Sequence, residues 1–229
     1  MMPRVRRIVL RLIITVAALA LWFWTQSLLG ARPAQVNTIG DGLHQLTASA
    51  NAYFQVHPRA ADALLIVSSA LIDALGLFLL VRWLFGKSVR PFLGLFLLMV
   101  LRQAMQALCA LPHPEGMIWR YPGFPSLLVT YSVSSDFFFS GHTAIAVFAA
   151  TELARLRKAW LTSLAIFVAL FEIATVIVLR AHYTMDVFTG ILAAVCVAAF
   201  IQRLSSPIDR ALGYGLASPP PPSPPSSSL

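Results

Sequence analysis

The chain has 229 residues, 58% of them hydrophobic and only 11% charged, with a mean hydropathy of +0.77. Soluble domains carry roughly 25% charged residues, so this composition excludes an ordinary soluble globule and predicts an integral membrane protein. The formal net charge is +8, but the Lys and Arg residues sit in short segments between apolar runs, the pattern of membrane topology rather than of nucleic-acid binding.

Six apolar segments, each near the ~20 residues that a bilayer core demands, lie at 11–30, 63–85, 92–112, 137–156, 160–179 and 184–203. They predict an all-α fold, a polytopic six-helix transmembrane bundle forming one catalytic domain over residues 1–211. The first segment has an arginine-rich flank, Arg4, Arg6, Arg7 and Arg11, but is longer than a signal-peptide core and no A-x-A site follows it. It is read as a membrane helix. His44 and His57, between the first two segments, read as solvated or interfacial loop residues. Arg102 lies within the third segment, where a charge is costly unless it is paired or faces an aqueous cavity. The stretch 113–135, preceded by Pro112 and containing His113, Pro114, Pro122 and Pro125, predicts an interfacial loop that shapes a lipid entrance. Glu172, in the middle of the fifth segment, reads as a buried structural contact. The Pro/Ser-rich stretch 212–229 has no apolar face to bury and predicts a disordered or polyproline-like tail. Cys109 and Cys196 both fall in apolar segments and imply no disulfide framework.

Orientation follows from the basic residues. With a cytoplasmic N-terminus, Arg4, Arg6, Arg7, Arg11, Arg82, Lys87, Arg90, Arg155, Arg157, Lys158, Arg203 and Arg210 lie inside, against Arg32, Arg59, Arg120 and Arg180 outside. Both termini are therefore expected in the cytoplasm. Ser140-Gly141-His142-Thr143 and Arg180-Ala-His182-Tyr-Thr-Met-Asp186 then meet on the non-cytoplasmic, periplasmic or lumenal, side.

These two strings carry the chemistry. His182 and Asp186 are four residues apart at a helix start, so the carboxylate can hold one imidazole nitrogen and leave the other as a nucleophile. Ser140 is a natural N-cap, and Gly141 allows close approach at a helix N-terminus, where N–H groups favour phosphate. His142 is placed to act as a general acid and base. Arg102 reads either as a phosphate clamp or as a partner of Asp73 or Glu172. Arg180 reads as a charge-assisted hydrogen-bond donor to phosphate or as a snorkelling interfacial cation. Asp136 orients a histidine or marks the helix start. Neither a metal-ligand cluster nor a glycine-rich phosphate loop is present in the sequence, and no cofactor is expected.

Asp136-Phe-Phe-Phe-Ser-Gly-His142-Thr143, His182-Tyr-Thr-Met-Asp186-Val187 and Arg102 with the Leu111-Pro112-His113-Pro114-Glu115-Gly116 string together resemble the type 2 phosphatidic acid phosphatase superfamily in its sphingomyelin-synthase-like branch. In motif they look most like the plant phosphatidylcholine:diacylglycerol cholinephosphotransferases. Asp136 follows the sphingomyelin synthase pattern, Phe139 stands where the phosphatases have proline, and Arg180 is closer to His182 than in the phosphatases. The resemblance implies transfer of a phospho-headgroup, phosphocholine, between membrane lipids through a phosphohistidine on His182. His142 would be the acid and base, Asp186 the orienting carboxylate, and Arg102 and Arg180 the phosphate ligands. Phosphatidylcholine would be donor and diacylglycerol or ceramide acceptor, with no nucleic acid as partner. Two alternatives stay open: a lipid phosphate phosphatase with water as acceptor, and a non-catalytic lipid-binding or transport protein.

Overall fold

The computed structural model describes residues 4–31, 39–131 and 137–214. Asp136 and the tail from 215 onward lie outside the described residues, as do 32–38. Among the described residues there are eight helices and no strand: α1 (Arg4–Gly30), α2 (Gly42–Leu46), α3 (Ala48–Val56), α4 (Pro58–Phe85), α5 (Arg90–Leu108), α6 (Gly141–Ala154), α7 (Ala159–Val178) and α8 (Thr184–Ala211). Five of them, α1, α4, α5, α7 and α8, are long and apolar enough to cross a membrane.

The segment expected as a fourth span, 137–156, holds the shorter helix α6. Its 14 residues rise about 21 Å at 1.5 Å each, short of the ~30 Å hydrocarbon core. The backbone before it is the reason. Phe138 adopts a positive φ of 86°, a conformation that side chains with a Cβ rarely take, which stops the helix from extending backwards. In exchange, the neighbouring Phe137 and Phe139 are both fully buried. At the other end Arg157, with φ of 55°, turns the chain into α7.

α6 is apolar on nearly every side, and such a helix belongs inside a bundle. It packs against α4, α5, α7 and α8. Phe148, Ala144 and Ala149 of α6 meet Leu79 of α4, Leu98 of α5 and Ala194, Val197 and Ile201 of α8 in the largest buried cluster. Small residues let the helices close on one another: a Cβ on Gly94 would lie only 2.1 Å from Cζ of Phe148. α1 is peripheral. It turns Arg11, Thr15 and Gln26 inward, a spacing that keeps them near one face, and leaves Val9, Ile13, Val16 and Trp24 exposed.

At the end where α1 and α5 begin, polar groups tie the bundle together. The Arg11 guanidinium donates to the carbonyls of Trp83, Leu84 and Gly86, capping the C-terminus of α4. It also stacks between the rings of Trp83 and Tyr214. Arg90 is buried; its Nε donates to Glu152 Oε1 at 2.5 Å and its other arm to the Ala198 carbonyl at 2.9 Å. One side chain thus joins α5, α6 and α8.

Removing one member of a buried ion pair leaves the other charge uncompensated, at a cost of about 3–5 kcal/mol. Glu152→Ala should therefore lower stability by that order in detergent unfolding, and Glu152→Gln by less. A Glu152→Ala midpoint equal to that of the wild type would show that the pair does not hold these helices.

Candidate active site

The site forms where α8 begins. Thr184 opens that helix, and the Asp186 side chain turns back to accept from the Tyr183 backbone N–H at 2.9 Å. The same oxygen, Oδ2, lies 3.2 Å from His182 Nδ1. A carboxylate can only accept, so Nδ1–H donates and the neutral ring keeps its lone pair on Nε2. Asp186 is fully buried and His182 nearly so.

α6 is brought against this turn by its own cap. Ser140 Oγ accepts from the Thr143 N–H at 3.3 Å, and the Ser140 N–H donates to the Asp186 carbonyl at 3.0 Å. Gly190, nearly two turns into α8, makes the approach sterically feasible, since a Cβ there would stand 2.8 Å from the Ser140 carbonyl oxygen. His142 follows in the first turn of α6, with its ring edge-on to Trp119 at 5.3 Å between centroids. Its Nε2 is buried and has no hydrogen-bond partner among the described residues.

Arg102 completes the arrangement. Its Nε would be 3.3 Å from a Cβ on Gly141, so the guanidinium stem packs on the backbone at the start of α6. One arm donates to Gln26 Oε1 on α1. Asp73 and Glu172, the alternatives for pairing with Arg102, are engaged elsewhere. Glu172 accepts from Ser68 Oγ at 2.6 Å, the buried structural contact expected of it. Asp73 accepts from Ser126 Oγ and from the N–H groups of Leu127 and Leu128. A guanidinium and the positive end of a helix are each favourable neighbours for a phosphate.

His142, His182, Arg102 and Gly141 line a single pocket, walled by Trp22, Trp119, Phe137 and Val129. Arg180 does not line it. Instead Arg180, itself at a positive φ of 53°, donates to the Glu115 carbonyl at 2.7 Å and to the His44 carbonyl at 3.4 Å. It ties the proline-rich loop to the turn before His182. That loop is more than an interfacial cover: Ile118, Leu128 and Val129 are buried, and the Ile118 N–H donates to the Leu179 carbonyl at 2.8 Å. His57 and His113 are exposed, as expected.

His44 is where the sequence reading is corrected. Read as a solvated or interfacial loop residue, it is 7% exposed, and its Nε2–H donates to the His182 carbonyl at 2.9 Å. Its ring stacks on Tyr183. Asp41 holds it there. Asp41 is the N-cap of α2, accepting from Leu43 and His44 N–H, and it also accepts from the Thr184 N–H and Oγ1 at 2.6 Å each. One carboxylate therefore starts two helices that are 143 residues apart in the chain. The only local hint was Asp41-Gly-Leu-His44, an N-cap residue ahead of a short run too brief to read as a helix.

His142, His182, Asp186 and Arg102 thus come together in a helical protein with five helices long and apolar enough to cross a membrane. A family model described as AtPDCT1/2 matches residues 41–203, and the chain belongs to that family, the one of the plant phosphatidylcholine:diacylglycerol cholinephosphotransferase. Membership implies a lipid phosphotransferase enzyme. Neither a curated protein nor a solved structure shows significant similarity to the chain.

Burial pushes the Asp41 carboxyl up, but the hydrogen bonds from Thr184 and His44 outweigh it and hold the group below its ordinary value of 3.8. A depressed carboxylate contributes stability that is whole above the ordinary value and is lost as the pH falls through the lower folded value. Thermal midpoints in detergent should therefore fall for the wild type on going from about pH 6 to about pH 3. Asp41→Asn should start lower and fall less. Parallel curves for the two proteins would remove Asp41 as the acid-sensitive link.

Proposed function

We propose that the protein transfers phosphocholine between phosphatidylcholine and diacylglycerol through a phosphohistidine on His182. The observation that carries this reading is the convergence of His142, His182 and Arg102 on one pocket, with Asp186 fixing the tautomer of His182, in a chain of the cholinephosphotransferase family. In the first half-reaction His182 Nε2 attacks phosphorus and the bond from phosphorus to the diacylglycerol oxygen breaks. His142, as imidazolium, delivers its proton to that oxygen. In the second half the acceptor hydroxyl loses its proton to His142 and attacks phosphorus. The P–N bond breaks and His182 returns to its starting form.

Arg102 and the first turn of α6 neutralise the phosphate oxygens as charge builds on them. Arg180 is assigned a different part: it positions the loop at Glu115 over the site rather than binding phosphate directly. The walls of Trp22, Trp119 and Phe137 exclude water, which otherwise competes for the phosphohistidine at roughly 55 M. Ceramide is a second candidate acceptor, and water would be the acceptor if the protein were a phosphatase.

Phosphatidylcholine labelled in choline should pass its label to added diacylglycerol faster than free phosphocholine appears. His182→Ala should abolish both transfer and covalent labelling, and Asp186→Asn should cost on the order of 10³–10⁴-fold in rate, as loss of tautomer control does in hydrolytic triads. Accumulation of free headgroup alone, whichever lipid alcohol is supplied, would replace the transferase reading with hydrolysis. Full activity of His182→Ala would end the phosphohistidine mechanism.

The proposal also places six crossings in the membrane, α6 being the short one, with both termini cytoplasmic and the site on the opposite face, on the strength of the twelve-to-four basic bias. With Cys109 and Cys196 replaced by serine, Tyr121→Cys should react with an impermeant maleimide from the non-cytoplasmic side and Lys158→Cys should not. The opposite pattern would invert the topology.

A further inference from the structure

A second, larger cavity lies between α1, α4 and α5, away from the reacting groups but sharing the walls Trp22, Met99, Leu128 and Ile145 with the catalytic pocket. Its lining is almost wholly apolar, with Leu19, Leu80, Phe92 and Phe96 along its length. Four polar side chains interrupt it. Two are satisfied within the protein: Thr15 Oγ1 accepts from the Trp83 indole, and the Thr25 hydroxyl bonds to the Leu21 and Trp22 carbonyls. Two are not. The Gln103 amide nitrogen and oxygen and the Trp22 indole nitrogen are buried with no hydrogen-bond partner among the described residues.

Buried polar groups in proteins are nearly always paired, and one left unpaired in an apolar wall points to a ligand that completes it. Gln103 and Trp22 both line this apolar groove, and Trp22 also lines the catalytic pocket. A glycerolipid answers that pattern. Its phosphate or free hydroxyl sits on one glycerol carbon, its ester carbonyls, which only accept, hang on the other two, and its acyl chains run on as hydrocarbon.

We propose that this groove holds the acyl chains of the glycerolipid, and that the Gln103 amide and the Trp22 indole N–H donate to its ester carbonyls. The two residues then make the enzyme select ester-linked over ether-linked lipids. The identity of the ligand rests on the transferase reading above. In that reaction the leaving diacylglycerol and the accepting one are chemically alike, so one groove serves both halves.

The experiment compares 1,2-diacylglycerol with the matching 1,2-dialkylglycerol, which has methylenes in place of the carbonyls, as acceptors for labelled phosphatidylcholine in mixed micelles. The wild type should favour the diacyl acceptor by about tenfold in kcat/KM, the effect of leaving buried donors unpaired. Gln103→Leu should bring the two within about threefold, and Trp22→Phe, which keeps an aromatic ring and loses only the polar N–H edge, should narrow the gap in the same direction. The ratio is taken within one preparation, so any unfolded fraction cancels. No preference in the wild type, or a ratio that both variants leave unchanged, overturns the assignment.

A second arm needs no turnover. His182→Ala protein is irradiated with a diacylglycerol carrying a diazirine in one acyl chain, and the labelled residues are mapped by mass spectrometry. Label on Leu19, Leu80 or Phe96, competed better by diacyl than by dialkyl lipid, supports the groove even if no phosphocholine transfer is found, in which case the transferase reading alone falls. Label elsewhere, with transfer intact, removes the groove and leaves the transferase in place.

Discussion

The hydrogen bond from the Ser140 N–H to the Asp186 carbonyl, with Gly190 beneath it, is the contact on which the site depends. Two helix starts meet there, each with its own histidine. A backbone-to-backbone bond sets their separation more firmly than any pair of side chains, because it leaves no rotamer to choose. Gly190 is required by the same geometry: a side chain between the two backbones would push α6 away by several tenths of an ångström. The short α6 follows from it as well, since a helix continuing backwards through Phe138 would carry Ser140 out of this contact.

Around that contact the protein spends carboxylates on backbone rather than on cations. Asp186 accepts from Tyr183, Asp41 from Leu43, His44 and Thr184, and Asp73 from Leu127 and Leu128. Asp186 and Asp41 fix turns where the chain enters a helix and replace water for N–H groups that have no partner in their own helix, whereas Asp73 pins the loop at Leu127 and Leu128. Among the described residues, Glu152 pairs with Arg90 in the buried core, at the end of the bundle remote from the histidines.

Arg102 and Arg180 show how similar residues diverge by placement. Both flank the motif histidines in the chain or in space. Arg102 comes up from α5 onto the start of α6 and lines the pocket. Arg180 sits in the tight turn after α7, where a left-handed backbone turns its side chain toward the Glu115 and His44 carbonyls. Its charge still contributes to the local field, but its hydrogen bonds are used to hold loop against turn. Asn51 works in the same seam, donating to the Gly116 and Val178 carbonyls.

The membrane character, the apolar helices and the His182–Asp186 pair were legible in the sequence, because each is written in composition or in contacts no more than four residues long. A hydrophobic run of twenty residues has few fates, and a histidine four residues before an aspartate at a helix start has one near neighbour. The N-cap at Ser140 was legible for the same reason. What tertiary structure alone decided was every contact that skips across the chain. The burial of His44 against a carbonyl 138 residues away, the double duty of Asp41, the turning of Asp73 onto the loop and the length of α6 have no periodic signature. They depend on which helix ends the bundle brings together, and that is settled by the packing of small residues such as Gly94 and Gly190 between helices. The side chains of the candidate site were present in the one-dimensional chain; packing placed them within reach of one another.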